Sequence, residues 1–417
     1  MTVNYKYKTV PYDHQKTSLD AAGDKKSFGF FMEMGTGKSK VLIDNLGQLF
    51  TDGKVNFALI IAPKGVYRNW VAKEIPQHMS DDVPHRIIRW VSVGNKKQQA
   101  EVQSVKEPFA GLTIFVMNVE AFSTTKGQVA GKWMAKHCGQ HGMIAVDEST
   151  TIKNSKAKRT KALIKIAEGF QYKRLLTGSP ITKSPMDIYA QAEFLGPGLL
   201  GYDSFYAFQG RYAVLQRRTM GAHAFQQVLG YKNLEELTER IDRFSYRVLK
   251  KDCLDLPDKS YTARYVTLTT EQAKMYDDIQ RQALLLLDNG ELVTAPAVIT
   301  QLLRLQQIMS GHLKSDDGTM MTFPTRRMDA LLEIMEEHDG KAIIWSRFRH
   351  DFNLETRIQS EDRAHRIGQK NPVTYVDLIS EGTLDERIVK SLRSKIDISA
   401  KVLGEDAREW LTLKPAK

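Results

Sequence analysis

Short apolar runs alternate with amphipathic stretches along the first 180 residues. A continuous apolar run bounded by turn residues predicts a strand buried on both faces, and strands that alternate with helices predict a parallel sheet covered on both sides. The pattern therefore predicts an α/β domain over residues 1–180. Its apolar runs occupy residues 28–32, 57–63, 112–117, 143–146 and 174–176, and helix-like stretches occupy residues 15–22, 40–50 and 67–74.

A second α/β pattern follows a change in composition. Residues 181–255 have a mostly helical and partly basic pattern, and residues 256–259 (LPDK) have the composition of a linker. We therefore expect a first lobe at 1–180, a helical region at 181–255 and a second lobe at 256–417. Within the second lobe, strands are predicted at residues 261–269, 341–346 and 373–379, and helices at 271–288, 297–309 and 383–403.

A glycine turn between the first apolar run and the first long helix is the main candidate for chemistry. Gly35 and Gly37 lack a Cβ, so backbone N–H groups of residues 35–39, Thr36 included, can close around phosphate oxygens. Lys38 is placed for the β- and γ-phosphates, and the Ser39 hydroxyl can complete a Mg²⁺ shell. The helix that follows adds its positive N-terminal end. The alternative is a tight strand-to-helix turn with a solvated lysine.

The acidic pair Asp147 and Glu148 follows four apolar residues, 143–146. Ligands of open α/β sheets bind at the carboxyl ends of strands, where this pair is predicted to lie. Asp147 can hold Mg²⁺ through water, and Glu148 can orient and deprotonate an attacking water. The alternative is a polar strand end without function, but together with the glycine turn the pair favours binding of a nucleoside triphosphate.

Composition narrows the class of protein. The 417 residues include 60 Lys and Arg against 49 acidic residues, a formal charge of +11. This excess favours a polyanionic partner, with nucleic acid as the leading candidate, although it also serves general solubility. Two distant cysteines indicate a reducing compartment and no zinc site. We find no signal peptide and no apolar run long enough for a membrane span.

Polar residues elsewhere suggest further contacts. The amide of Gln15 can donate to and accept from an adenine edge, although alone it is an ordinary helix-start residue. Arg363 and Arg366 are three residues apart, so on a helix they share a face and suit a γ-phosphate as arginine fingers. A surface helix paired with Glu361 and Asp362 is the alternative. Two basic sets are candidates for phosphate contact: Arg240, Arg243, Arg247, Lys250 and Lys251 on one predicted helix face, and Lys153, Lys156, Lys158 and Arg159. The alternative for the first set is an ordinary solvated helix face.

Together these motifs resemble the SNF2 branch of the superfamily 2 helicase-like ATPases. The resemblance extends over most of the chain, with Met32 where the family usually has Asp. The matching segments are 12–15 (YDHQ) to the adenine-reading Q element, 33–39 (EMGTGKS) to motif I, 61–63 (IAP) with Trp70 to motif Ia, 147–150 (DEST) with Lys153-Asn154 to motif II, 176–181 (LTGSPI) to motif III, 247–259 to the passage between lobes, 302–308 (LLRLQQI) to L-x-R-L-R-Q-I, 344–348 (IWSRF) to motif IV, 359–369 (QSEDRAHRIGQ) to motif VI and 382–388 (GTLDERI) to the segment beyond it.

The resemblance implies two RecA-like α/β lobes that close on ATP and Mg²⁺, with double-stranded DNA as partner. The implied activity is DNA-stimulated ATP hydrolysis coupled to translocation on duplex DNA. A small bacterial or phage motor fits better than a chromatin remodeller, because no accessory module is visible. We expect a monomer in the cytoplasm of a bacterial or phage-infected cell. The alternatives are a strand-separating helicase on DNA or RNA, and an ATP-gated nucleic-acid clamp without efficient turnover.

One stretch departs from the family pattern. Only residues 349–358 separate motif IV from motif VI, where the family has two further βα steps that require roughly 60 residues. The second lobe is therefore incomplete in this sequence. We predict that the expressed protein is longer than 417 residues, with a chain break near Asn353 and Leu354. The alternative is a second lobe that is truncated in the protein itself, which would favour the clamp without efficient turnover.

Overall fold

The computed structural model describes residues 5–220, 223–253, 259–288, 295–314, 319–337, 373–386 and 388–389. These residues form two compact units, one within residues 5–253 and the other within residues 259–389. The predicted motif VI helix, the strand at 341–346, residues 256–258 of the predicted linker and the predicted break near residue 353 lie outside the described residues.

The first unit is built on a seven-stranded, fully parallel sheet in the order β3-β4-β2-β5-β6-β1-β9. This sheet confirms the predicted α/β class. Its strands and the neighbouring hairpin are β1 (Ser27–Met32), β2 (Phe57–Ala62), β3 (His85–Arg89), β4 (Leu112–Asn118), β5 (Gly142–Asp147), β6 (Tyr172–Leu176), β7 (Ala213–Met220), β8 (His223–Tyr231) and β9 (Ser245–Val248).

Helices cover both faces of this sheet because its central strands are apolar on both sides. Phe30 of β1 packs in one hydrophobic cluster with α1 and α2, and Phe31 packs in a second cluster with α6 to α10. The helices are α1 (Asp13–Ala22), α2 (Lys38–Thr51), α3 (Tyr67–Asn69), which continues through a π-helical turn (Trp70–Glu74) into α4 (Ile75–His78), α5 (Lys96–Gln103), α6 (Thr125–Cys138), α7 (Lys158–Ala167), α8 (Asp187–Leu195), α9 (Phe205–Tyr212), α10 (Leu234–Asp242) and α11 (Lys250–Cys253).

The region predicted as mostly helical also contains strands that the sequence analysis missed. Strands β7 and β8 form an antiparallel hairpin, and β9 adds a seventh parallel strand beside β1. The predicted helix face with Arg240, Arg243 and Arg247 is wrong, because α10 ends at Asp242 and Arg247 lies in β9. Residues 245–248 add to a sheet edge that is formed far away in sequence, which local helical periodicity cannot reveal.

The described part of the second unit contains a parallel pair of strands and three helices. Buried side chains from α12 and α13, among them Tyr276, Leu305 and Ile308, form a small core. The Gln272 side chain donates a hydrogen bond to the carbonyl of Ile308 at 2.8 Å, which links the two helices. The elements are β10 (Lys259–Val266), paired with β13 (Val373–Ser380), the antiparallel pair β11 (His312–Lys314) and β12 (Met320–Thr322), and helices α12 (Thr270–Asp288), α13 (Ala295–Met309) and α14 (Arg326–Glu336).

None of the helices in the described residues has the length and apolar character needed to cross a bilayer.

Candidate nucleotide-binding site

The loop between β1 and α2 is a tight turn at the carboxyl edge of the sheet. Gly35 and Gly37 have φ angles of 84° and 89°, a left-handed region that residues with a Cβ avoid. The Thr36 hydroxyl donates to the carbonyl of Glu33 at 2.7 Å and holds the turn. The turn therefore delivers Lys38 and Ser39 to the first turn of α2, where backbone N–H groups have no partner within the helix.

Helix α1 fixes this loop from outside. The side chains of Gln15 and His14 both donate to the carbonyl of Thr36, at 3.0 and 2.9 Å. The Gln15 carbonyl oxygen in turn accepts from the backbone N–H of Tyr12 at 3.0 Å. Gln15 is 2% exposed, so both ends of its amide are used to position the loop, and its role at an adenine edge stays a prediction. The contact of His14 was not foreseen.

The charged side chain of Lys38 is largely buried. It is 8% exposed, and among the described residues it forms no hydrogen bond and no ion pair within 4.0 Å. The Ser39 hydroxyl likewise has no hydrogen-bond partner in the described part of the chain. Buried charges in proteins are normally paired. An unpaired ammonium beside a glycine turn and a helix N-terminus therefore fits a phosphate as the missing partner.

Asp147 ends β5 on the same edge of the sheet, with β6 between β5 and β1. Its two carboxylate oxygens accept from the indole N–H of Trp70 at 2.9 Å and from the backbone N–H of Glu148 at 3.0 Å. Burial raises the pKa of the Asp147 carboxyl, while the Trp70 hydrogen bond and the positive charge of Lys38 act to lower it. Lys38 and Asp147 are thus electrostatically linked, as two groups that share one nucleotide and its metal ion would be.

Ser39 and Asp147 fit the predicted Mg²⁺ in chemical type. Mg²⁺ prefers oxygen ligands and is commonly held by one or two protein groups together with substrate phosphates and water. The Ser39 hydroxyl is uncommitted among the described residues, and each carboxylate oxygen of Asp147 keeps a lone pair beyond the bond it accepts. The donor set is therefore suited to a metal that arrives with the nucleotide.

Glu148 has an unusual backbone conformation, with φ 50° and ψ 61°. A residue with a Cβ pays conformational energy in this region, and such strain concentrates at functional sites. The backbone N–H of Thr151 donates to the carbonyl of Glu148 at 3.0 Å, which closes the turn. The chain thus turns directly after the strand, and a short 3₁₀ helix (Ser149–Ile152) follows.

The loops after β5 and β6 are joined by side chains, and the sequence analysis did not identify the partners Gln191, Thr182 and Asp187. The Ser149 hydroxyl donates to the Gln191 side chain at 2.6 Å, and the Gln191 amide donates to the carbonyl of Pro180 at 2.7 Å. The Lys153 ammonium donates to the Thr182 hydroxyl and lies 3.8 Å from Asp187. Motif II and motif III are therefore connected through α8, which has no motif signature of its own.

Hydrogen bonds connect strand β9, and Lys250 just after it, to the end of β1 and the loop between β1 and α2. The Glu33 carboxylate accepts from the backbone N–H of Lys250 at 2.5 Å. The Arg247 guanidinium donates to the carbonyls of Gly178 at 2.6 Å and Phe31 at 3.2 Å. Hydrogen bonds therefore connect motif I, motif III and β9, and Arg247 has a structural role inside the first unit.

The predicted basic sets are dispersed in the structure. Arg240 pairs with Glu236 and donates to the carbonyl of Leu200. Lys156 is exposed between β5 and α7, Lys158 is exposed at the start of α7, and Arg243 is exposed just after α10. Arg363 and Arg366 lie outside the described residues.

A glycine-rich turn and an acidic strand end on one edge of a parallel α/β sheet are typical of the P-loop class of nucleotide-binding proteins. Sequence comparison identifies the family within that class. The model of the SNF2-related domain matches residues 23–312, which is more than half of the chain. The chain belongs to the SNF2-related domain family, and the resemblance found in the motifs is confirmed.

Relatives come from bacteria, a phage and eukaryotes. An uncharacterized ATP-dependent helicase of Mycoplasma genitalium is 23% identical over 91% of this chain and 40% of its own length. Putative protein p41 of Acyrthosiphon pisum secondary endosymbiont phage 1 is 23% identical over 88% of this chain and 78% of its own length. The human TATA-binding protein-associated factor 172 is 23% identical over 63% of this chain and 21% of its own length. The chain thus spans about two fifths of the mycoplasma relative.

Among solved structures, the chain is similar to the Sulfolobus solfataricus SWI2/SNF2 ATPase core in complex with dsDNA. The TM-score is 0.46 at 21% sequence identity, with 99% of this chain and 97% of that chain covered.

Proposed function

We propose that the chain is an ATP hydrolase that moves along double-stranded DNA. The observation that carries the ATPase part is the largely buried Lys38 side chain, whose ammonium has no partner among the described residues and which follows two left-handed glycines. Its positive charge acts on Asp147 at the acidic end of β5. A solvated lysine, the alternative for this turn, would be exposed. The net charge of +11 and the family motifs support the DNA part.

Each site residue has a distinct task in this proposal. The backbone of residues 35–39 and the Lys38 ammonium bind the β- and γ-phosphates. Ser39 and Asp147 would hold Mg²⁺, which neutralises charge on the phosphates when bound. Glu148 accepts a proton from the attacking water. At the same time the water oxygen bonds to the γ-phosphorus, and the bond between the γ-phosphorus and the bridging oxygen breaks, so that ADP leaves. Gln15 and Trp70 act indirectly, since they position the loop and Asp147.

The proposal also includes Arg363 and Arg366, which were identified from the sequence alone. Guanidinium groups that reach the γ-phosphoryl oxygens stabilise the charge that spreads over them in the transition state. If these arginines instead lie on a surface helix and pair with Glu361 and Asp362, their removal would leave hydrolysis unaffected.

The test is ATP turnover measured in parallel with blunt duplex DNA, single-stranded DNA and RNA, with the Lys38→Ala variant as background. We expect stimulation by blunt duplex DNA and displacement of a triplex-forming strand as the sign of translocation. Unwinding of a tailed duplex would favour the helicase alternative. Nucleic-acid binding without turnover would favour the clamp and contradict the proposal.

A further inference from the structure

The β7–β8 hairpin is an exposed two-stranded ribbon that the ATP site does not use. Isolated two-stranded ribbons are only marginally stable in water, yet apolar side chains are exposed along this one, among them Phe225 at 49% and Leu229 at 55%. Its base is anchored by hydrogen bonds from the Lys232 backbone to the Tyr212 carbonyl and from the Asn233 side chain to the Arg211 carbonyl. A firmly held base and an exposed body are features of an element that contacts another molecule.

The charge of the ribbon indicates what kind of molecule it contacts. The 31 residues from 204 to 234 contain no acidic residue, in a chain with 49 acids among 417 residues. Arg217, Arg218 and Lys232 are exposed, and their side chains form no hydrogen bond or ion pair with other described residues. Because Asp and Glu are absent along the whole ribbon, a phosphate backbone could approach it without repulsion. A protein partner with an apolar surface would not require this absence.

The register of the ribbon places its cations on both of its faces. Arg217 is opposite Gln226, and Arg218 is opposite Phe225. Since side chains alternate along a strand, these two pairs point to opposite faces. At about 3.3 Å per residue, a strand of this length extends about 26 Å. A two-stranded ribbon fits the major groove of B-DNA, about 12 Å wide, with phosphates on either side.

We propose that the β7–β8 ribbon enters a groove of duplex DNA and contacts the phosphates on both walls through Arg217 and Arg218. This inference rests on the proposed DNA-dependent function and adds a contact outside the two lobes' motifs. Gln216, Gln226 and Gln227 add amides that hydrogen-bond to base edges or backbone without further charge. The base of the ribbon also reaches the ATP-site loops, because Tyr231 interacts with Ser184 and Asp187, and Asp187 contacts Lys153 of the motif II loop.

The test compares the wild type with Arg217→Ala/Arg218→Ala and with a matched control, Lys96→Ala/Lys97→Ala. The control removes two equally exposed cations at the start of α5, near the β3 edge of the sheet. Binding to a fluorescent blunt duplex is measured over a range of salt concentrations. We expect the log–log salt slope of the ribbon variant to fall by about 1.8, at about 0.9 per phosphate contact, with roughly tenfold weaker binding at 0.1 M salt. The control and an Arg217→Lys/Arg218→Lys variant should keep the wild-type slope.

A photo-cross-linking residue gives an independent result. Gln226→benzoylphenylalanine should cross-link to duplex DNA, and Lys97→benzoylphenylalanine should not. An unchanged salt slope in the Arg217→Ala/Arg218→Ala variant, or no cross-link at position 226, overturns the inference. The exposed apolar side chains of the ribbon would then be better explained by contact with a protein partner. ATP turnover without DNA should match the wild type in every variant. If the wild type itself binds no duplex DNA, the proposed function fails together with the inference.

Discussion

Lys38 and Glu148 lie at one edge of the sheet, and in the proposed mechanism they act at different stages of the reaction. Lys38 contacts phosphate in the ground state, so Lys38→Ala should weaken ATP binding and abolish turnover. Glu148 acts on water, so Glu148→Gln should keep ATP binding while turnover falls by about 10²–10⁴-fold, the usual contribution of a general base. Equilibrium binding of a fluorescent ATP analogue and steady-state turnover separate the two. Wild-type turnover in Glu148→Gln would contradict its assignment as the base.

Trp70 offers a second prediction at the residue scale. Its indole N–H is the side-chain donor to buried Asp147, and hydrogen bonds to charged groups contribute about 1.5–3 kcal/mol. Trp70→Phe should therefore destabilise the first unit and lower turnover. Trp90→Phe is the matched control, because Trp90 is also buried but its indole N–H has no partner within the described residues. Urea unfolding and turnover of the two variants are compared, and equal losses in both would show that the hydrogen bond to Asp147 is unimportant.

At the scale of elements, the contact between α1 and the phosphate loop depends on Gly37. A Cβ at Gly37 would lie 2.2 Å from the Gln15 side-chain nitrogen, whereas a Cβ at Gly53 would meet nothing within 4 Å. Both glycines have positive φ angles, so an alanine at either costs about 1–2 kcal/mol of backbone strain. Gly37→Ala should in addition displace Gln15 and weaken ATP binding at least tenfold, measured by titration with the fluorescent analogue. Gly53→Ala should bind as the wild type does.

A second prediction at this scale concerns the base of the ribbon. The Arg211 guanidinium, with further hydrogen bonds from Tyr212 and Arg240, lowers the pKa of Glu236 from its ordinary value of 4.5 to about 2. A lowered pKa in the folded state stabilises the fold above about pH 4.5, and this stabilisation is lost as the pH falls towards 2. Glu236→Gln should therefore lower the melting temperature at about pH 6, and the difference from wild type should shrink at about pH 3. A difference that is constant with pH would mean that the ion pair contributes nothing.

The elements also show what local sequence can and cannot predict. Strands β1, β2, β4 and β5 were predicted almost to the residue because strands buried on both faces are continuous apolar runs. Strand β9 was missed because Ser245 and Arg247 have no strand pattern of their own, and a long-range contact with β1 determines their conformation. The hairpin β7–β8 was missed for a related reason, since its exposed strands lack the alternation of a half-buried strand.

The same limit applies to the candidate site. Gly35, Gly37, Lys38 and the Asp147-Glu148 pair were found because the chemistry requires those residue types at fixed positions. Trp70, Gln191 and Arg247 position that chemistry from other elements. Trp70 was noticed only as part of a family motif, and the roles of Gln191 and Arg247 depend on contacts across many residues of sequence, which no local pattern encodes.

At the scale of the whole molecule, turnover depends on residues far apart in the chain. In the proposed mechanism, Lys38 and Glu148 act together with Arg363 and Arg366 of the segment that resembles motif VI. A finger of this kind acts mainly in the transition state, so its removal lowers kcat and leaves ATP affinity nearly unchanged. This separates the arginines from Lys38, whose loss weakens binding itself.

Arg363→Ala and Arg366→Ala should each lower kcat by roughly 10³–10⁵-fold, the range known for arginine fingers, with ATP affinity within about twofold of the wild type. Arg281→Ala is the matched control, because Arg281 is exposed on α12 of the second unit and should leave kcat unchanged. Single-turnover hydrolysis with duplex DNA present measures the chemical step directly. If kcat is retained and only the midpoint of thermal unfolding falls, both arginines belong to a surface helix paired with Glu361 and Asp362. Hydrolysis would then proceed without these guanidinium groups. A truncated second lobe would therefore no longer be a reason to favour the clamp.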